Sequence, residues 1–292
     1  MGLAARTRAD WRAADGSQVV SDDLRRSAVA GLFYPADADA LRAAVAECVA
    51  GVPGGQRRCR AGIVPHAALM YSGKCAGAVF ARLAIPPTVV LVGPNHAALH
   101  RSPGASLWRS GAFETPLGPV PIDGAFAERL ERASDLVAHD ALAHRDEHAL
   151  EVELPFLRVL APDSAIVPLL LAWDRWAPCA SLARALAQVV KDTPHDVLLV
   201  ASSDLTHYES AERARAKDVL ALAEIERADG RALLDACHRH DITMCGRAAA
   251  AVVVEAARQL GARAAEVVDY RHSGAVNGDD RRVVSYAGVL IP

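Results

Sequence analysis

Four short polar stretches in this chain carry side chains that could do chemistry. They are Pro65-His66-Ala67, Gly93-Pro94-Asn95-His96, Ser202-Ser203-Asp204-Leu205-Thr206-His207 and Thr243-Met244-Cys245-Gly246-Arg247. Imidazole, carboxylate and thiolate are the groups that ligate iron, copper or zinc. Imidazole is also the commonest general acid or base near neutral pH. Asp204-x-x-His207 is not the spacing of a ligand pair on a helix; it reads as a loop that turns both side chains into one cleft. Cys245 stands at the start of an expected helix, where the positive end of the dipole is expected to lower the thiol pKa. A fifth stretch, Glu147-His148-Ala149-Leu150-Glu151, puts His148 and Glu151 at i,i+3 on one face of an expected helix. His148 is there a candidate substrate contact or a support for the other groups. His100, His139, His144, His195, His238, His240 and His272 have no such context and are expected at the surface.

The first three stretches each follow a short apolar run: AGIVP (61–65), TVVLV (88–92) and VLLVA (197–201). Nearly continuous apolar runs mark strands buried on both faces, as in a sheet with helices on either side. In open sheets of this kind ligands bind outside the carboxyl ends of the strands. A lone histidine at a strand end is commonly a structural group. Three motifs at the same position relative to their strands favour a site. Helices are expected over 37–50, 73–83, 147–160 (interrupted near Pro155), 181–191, 213–226, 231–240 and 246–260. Further strands are expected over 165–171, 264–270 and 283–291. The pattern predicts a single α/β domain over 21–292, with a mixed, mostly parallel central sheet and helices on both faces. Residues 1–20 are expected to form a loose extension, and 51–60 a loop.

Composition narrows the function. Across 292 residues, 32 basic side chains face 35 acidic ones for a formal net charge of −3, which argues against a nucleic-acid partner. No apolar run approaches the roughly 20 residues of a membrane span, and Arg6, Asp10, Arg12 and Asp15 interrupt any export-signal core. Six cysteines form no C-x-x-C pair and read as reduced thiols in a cytoplasmic protein. Phosphate-loop, serine-elbow and H-E-x-x-H signatures are absent.

VAGLFYP (29–35), IVPHA and YSG (63–73), GPNH (93–96), TPLG (115–118), EHALEVELPFL (147–157), SSDLTHY (202–208), MCGR (244–247) and SYAGVLI (285–291) occur in this order. Together they resemble the Memo family, from about residue 28 to the C-terminus. Bacterial and archaeal members are also known as protein B of the AmmeMemoRadiSam system, beside an AMMECR1-like protein and a radical SAM enzyme. The resemblance implies a fold like that of extradiol ring-cleaving dioxygenases of the non-haem iron class. It implies His66, His96 and Cys245 as metal ligands, with Cys245 where the dioxygenases use a carboxylate, and His207 as the catalytic histidine with Asp204 beside it. Asn95, Tyr71, Ser203 and His148 are the implied substrate-binding or supporting groups. The eukaryotic relative is described both as a phosphotyrosine-peptide binder and as a copper- or iron-dependent redox protein. Ala68 and Leu69 depart from the family's P-H-A-G-Y, which is expected to stiffen the backbone and to remove an aromatic wall from the cleft.

Three functions follow as expectations. One is a metal-dependent oxidoreductase using Fe(II) or Cu, with Zn as a further candidate; thiolate favours softer or reduced metals, which tells against ring cleavage. The second is a binding module for a small anionic or peptide ligand. The third is an accessory to the AMMECR1-like and radical SAM partners.

Overall fold

The computed structural model describes residues 23–96 and 104–292; the expected extension over 1–20 and His100 lie outside them. In chain order the elements are β1 (Leu24–Arg25), α1 (Ala38–Val49), β2 (Ala61–Val64), α2 (Leu69–Phe80), β3 (Thr88–Pro94), β4 (Ala105–Leu107), β5 (Ala112–Phe113) and β6 (Val120–Pro121). Next come α3 (Gly124–Ala133), β7 (Val137–His139), α4 (Ala141–Arg145), a 3-10 turn (Glu151–Glu153), α5 (Leu154–Leu160), β8 (Ala165–Leu171) and α6 (Trp176–Lys191). The chain closes with β9 (Val197–Ser202), β10 (His207–Glu209), α7 (Ala211–Glu226), α8 (Gly230–Arg239), α9 (Arg247–Gln259), β11 (Glu266–His272), α10 (Gly274–Asn277) and β12 (Val283–Ile291).

Nine strands form one mixed sheet in the order β10-β12-β2-β9-β3-β8-β4-β7, with β11 also paired to β12. Its centre, β2-β9-β3-β8, is parallel, while β12 and β4 flank that centre in antiparallel pairing. Alternation along these strands feeds two cores. Val90, Val92, Leu199 and Ala201 face α3, α6, α8 and α9. Val89, Leu91, Leu198 and Val200 face the layer of α1, α2 and α5. Burial on both faces is why these strands read as unbroken apolar runs.

Several boundaries differ from the sequence expectation. Helix α2 begins at Leu69, four residues early, because Gly73 and Gly77 sit inside it instead of breaking it. A Cβ on Gly77 would lie 2.3 Å from the Cys48 carbonyl oxygen, so the glycine is what lets α1 and α2 touch. Pro155 does not interrupt a helix. It sits in the first turn of α5, where the missing N–H has no helical partner to lose. Residues 147–150 are therefore not helical, and His148 and Glu151 do not share a helix face.

His144, expected at the surface, lies inside the protein. It is buried, with Nε2 2.9 Å from the Ser106 carbonyl oxygen, and burial pushes its pKa down to about 4. Ala68 carries φ −54°, a value open to any residue, so a glycine's freedom is not needed there. Leu69 is buried in the core between α1, α2 and α5. Among the described residues, no helix is long and apolar enough to cross a membrane.

Candidate metal centre

The parallel register pairs Val64 with Ser202 and Val92 with Ala201. The ends of β2, β9 and β3 therefore stand level, and the residues just past them meet at one edge. His66 Nε2 lies 3.3 Å from Cys245 Sγ. One donor atom each from His66, His96 and Cys245 falls within 4.8 Å of the others. Metal bonds of about 2.0 Å to nitrogen and 2.3 Å to sulfur at a tetrahedral angle put two donors roughly 3.5 Å apart, so this group could hold a metal ion.

Hydrogen bonds decide which ring atom each histidine offers. His96 Nδ1 is 2.9 Å from Glu147 Oε1, a carboxylate oxygen that accepts. Nδ1 therefore carries the hydrogen and Nε2 the lone pair. His66 Nδ1 lies 2.7 Å from Ser202 Oγ, whose own hydrogen has the Ala149 carbonyl as partner at 2.6 Å, so this ring too donates from Nδ1. Burial, and then its imidazole neighbours, drive the His66 pKa well below the ordinary value and keep it neutral. At His96 burial opposes the charged form, but the bond to Glu147 prevails and raises the pKa.

Cys245 reaches the edge because Gly246 lies against the end of β9. A Cβ at Gly246 would come within 2.4 Å of the Ser202 carbonyl oxygen. Gly246 N donates to Ser203 Oγ at 2.9 Å, and Asp204 N donates to Cys245 Sγ at 3.3 Å. The expectation of a lowered thiol pKa is overturned: burial, and then the Asp204 charge, push it up, outweighing these N–H donors. Without a nearby cation the group is a thiol. A bound metal would release its proton, as thiolate ligation requires.

The remaining expected residues are distributed around this group. Asp204 Oδ1 accepts from His66 N at 2.9 Å, and burial lifts its pKa to about 7 despite bonds from the His66 and Ala67 backbone. Its carboxyl thus holds the β2 end. The His207 ring is oriented by a different group, the Leu205 carbonyl, which accepts from Nδ1 at 2.7 Å and leaves Nε2 as the basic nitrogen. His148 stacks on His96 with centroids 4.6 Å apart and lies edge-on to His66 at 5.5 Å. Phe33 packs against His148 with centroids 4.8 Å apart and the rings tilted. Ser203 binds the Cys245 loop. Asn95 lines a hollow of about 420 Å³ with His96, Trp173, Cys245 and Arg247. Tyr71 instead lines a larger groove of about 690 Å³, with Leu32, Phe33, Met70, Lys74 and Val276.

Sequence reasoning missed three groups. Glu147 accepts from His96 N, His96 Nδ1, His148 N and Ala149 N, and these bonds hold its pKa down against burial. Placing 147–160 on one helix hid this, since a helical Glu147 would point elsewhere. Ser202 and Glu153 stand behind His66. Ser202 was visible only as the first letter of a motif, and Glu153 only as part of an apolar helix.

The profile of a family described as Memo-like protein matches residues 25–290. A MEMO1 family protein of Aquifex aeolicus is 39% identical over 268 residues, covering 91% of this chain and 98% of the relative. One from Methanothermobacter thermautotrophicus is 36% identical over 275 residues, covering 90% and 99%. A crystal structure of an uncharacterized Escherichia coli K12 protein superposes with a TM-score of 0.50 at 14% identity, covering 79% of this chain and 99% of that one, a likeness of fold.

Proposed function

The chain belongs to the Memo family, and we propose that it is a metal-dependent redox protein whose ion, Fe(II) or Cu, is held by His66, His96 and Cys245. The observation that carries this reading is the pair of Nδ1 locks. Glu147 and Ser202 each fix an imidazole so that Nε2 is the available donor, beside a thiol with an inward N–H donor. Packing alone does not require that arrangement. Two nitrogens and one sulfur suit copper, iron or zinc and leave coordination positions for a substrate. When bound, the ion would supply Lewis acidity or a one-electron couple. The chain supplies the rest. Glu147 and Ser202 hold the two rings, Asp204 fixes the His66 backbone, and His207 Nε2 takes or returns a proton on the substrate. His148 and Phe33 form an aromatic wall over one side of the cleft.

The test is metal content after anaerobic purification, with oxidase activity, for three variants. His66→Ala and His96→Ala are expected to lose the metal while staying folded. His207→Ala is expected to keep it and lose turnover. Loss of metal from His207→Ala as complete as from His66→Ala would make His207 a ligand. Full metal in all three would place the ion elsewhere. The large groove beside Phe33 favours a second reading, a binding module for a small anionic or peptide ligand. That reading is distinguished by ligand binding in protein that holds no metal.

A further inference from the structure

Ser202 Oγ has three polar neighbours: the Ala149 carbonyl oxygen at 2.6 Å, His66 Nδ1 at 2.7 Å and Glu153 Oε1 at 3.0 Å. A hydroxyl donates once and accepts twice, so its single hydrogen cannot serve both Ala149 O and Glu153 Oε1. The carbonyl can only accept and is the nearer of the two. With the hydrogen directed there, both other neighbours must donate. For His66 that means Nδ1–H, the tautomer that leaves Nε2 towards Cys245 Sγ. For Glu153 it means a proton on Oε1.

The surroundings agree. Glu153 is fully buried, and its Oε2 has no hydrogen-bond partner among the described residues. A carboxylate there would be a buried charge with no cation paired to it among the described residues. Burial raises its pKa well above the ordinary range, and the nearby Asp204 charge acts in the same direction.

The geometry points to Glu153 as a positioning residue: a neutral carboxylic acid that donates to Ser202 Oγ and so anchors the hydroxyl that accepts from His66 Nδ1–H. This rests on the reading of His66 as a metal ligand given above. Turning the Ser202 hydrogen towards His66 Nδ1, which the opposite tautomer needs, would break the bond to Ala149, while Oγ could still accept from Glu153. The Ala149 carbonyl thus sets the tautomer, and Glu153 fixes the place of Oγ, its proton filling one of the two acceptor positions and leaving the other for His66 Nδ1–H. The acid thus acts from behind a ligand it does not touch, as supports of metal-binding histidines do.

The first measurement is an infrared difference spectrum of the full chain against Glu153→Gln at neutral pH. A protonated carboxylic acid band that shifts in D2O and is missing from the variant is expected. A carboxylate band in its place overturns the proposal. The second is Co(II) titration, followed by thiolate-to-metal absorption, with the His66 tautomer read by 15N NMR. Glu153→Gln, whose amide still donates to Ser202, should bind as the parent does. Glu153→Leu should bind roughly tenfold more weakly, with His66 still in the Nδ1–H tautomer that Ala149 sets through Ser202. Parent-like affinity in Glu153→Leu would overturn the positioning role. Failure of the parent to take up Co(II) would sink the metal reading, while the infrared band would still decide the state of Glu153.

Discussion

Replacing Glu147 by Gln tests the support of His96 with almost no change in volume. Oε1 accepts from His96 Nδ1 at 2.9 Å, His148 N at 2.8 Å and Ala149 N at 2.9 Å, while Oε2 accepts from His96 N. A glutamine can keep its oxygen at the first position, but its NH2 then faces the His96 N–H, donor against donor. Losing that bond at a nearly inaccessible site costs about 1–3 kcal/mol. The His96 ring also loses the charge that fixes Nδ1–H, and metal affinity should fall roughly 10- to 100-fold. Urea unfolding gives the first quantity, and competition with a chelator of known affinity gives the second. Parent-like affinity together with parent-like stability would refute the assignment of Glu147 as the group that orients His96. Lower stability with unchanged affinity would leave it a structural residue only.

Glu151→Leu should destabilise the protein by about 3–5 kcal/mol. It strands the buried Arg25 guanidinium and removes the acceptor for Tyr34 Oη, Ala28 N and Val29 N; an urea midpoint equal to the parent's would contradict this. Glu153→Gln should stabilise the protein by an amount that depends on pH. Because burial raises the folded pKa of Glu153, the parent loses stability as pH climbs past the unfolded carboxylate pKa, by up to about 1.4 kcal/mol per pH unit, until the folded pKa is reached. The difference between parent and variant should vanish below about pH 4 and grow towards neutrality; a gap independent of pH would show Glu153 to be ionised when folded.

The sheet centre was legible because strands buried on both faces are apolar throughout, and AGIVP, TVVLV and VLLVA have no competing helical period. The region 104–146 gave no comparable signal: β4 to β7 are two or three residues each, too short for a period to appear. The convergence of His66, His96 and the Asp204–His207 loop followed from their shared position after parallel strands. Cys245 needed the family resemblance, since it follows no strand and comes near only through the close approach of Gly246. Glu147, Ser202 and Glu153 were hidden because their importance lies in which oxygen meets which ring nitrogen. That depends on side-chain direction in a non-helical turn and at a strand end, which spacing does not carry. Cys245 shows the opposite failure, where a correct position near a helix start suggested the wrong pKa direction because burial outweighs the dipole.

The central claim is that two imidazole nitrogens and the Cys245 sulfur share one ion. X-ray absorption on the full chain loaded with one equivalent of zinc, a redox-silent probe, tests it most directly. The expected shell has one sulfur at about 2.3 Å and nitrogen at about 2.0 Å, with imidazole scattering from two rings and with the sulfur lost in Cys245→Ser. A shell of nitrogen and oxygen alone in the parent, unchanged by Cys245→Ser, would contradict it.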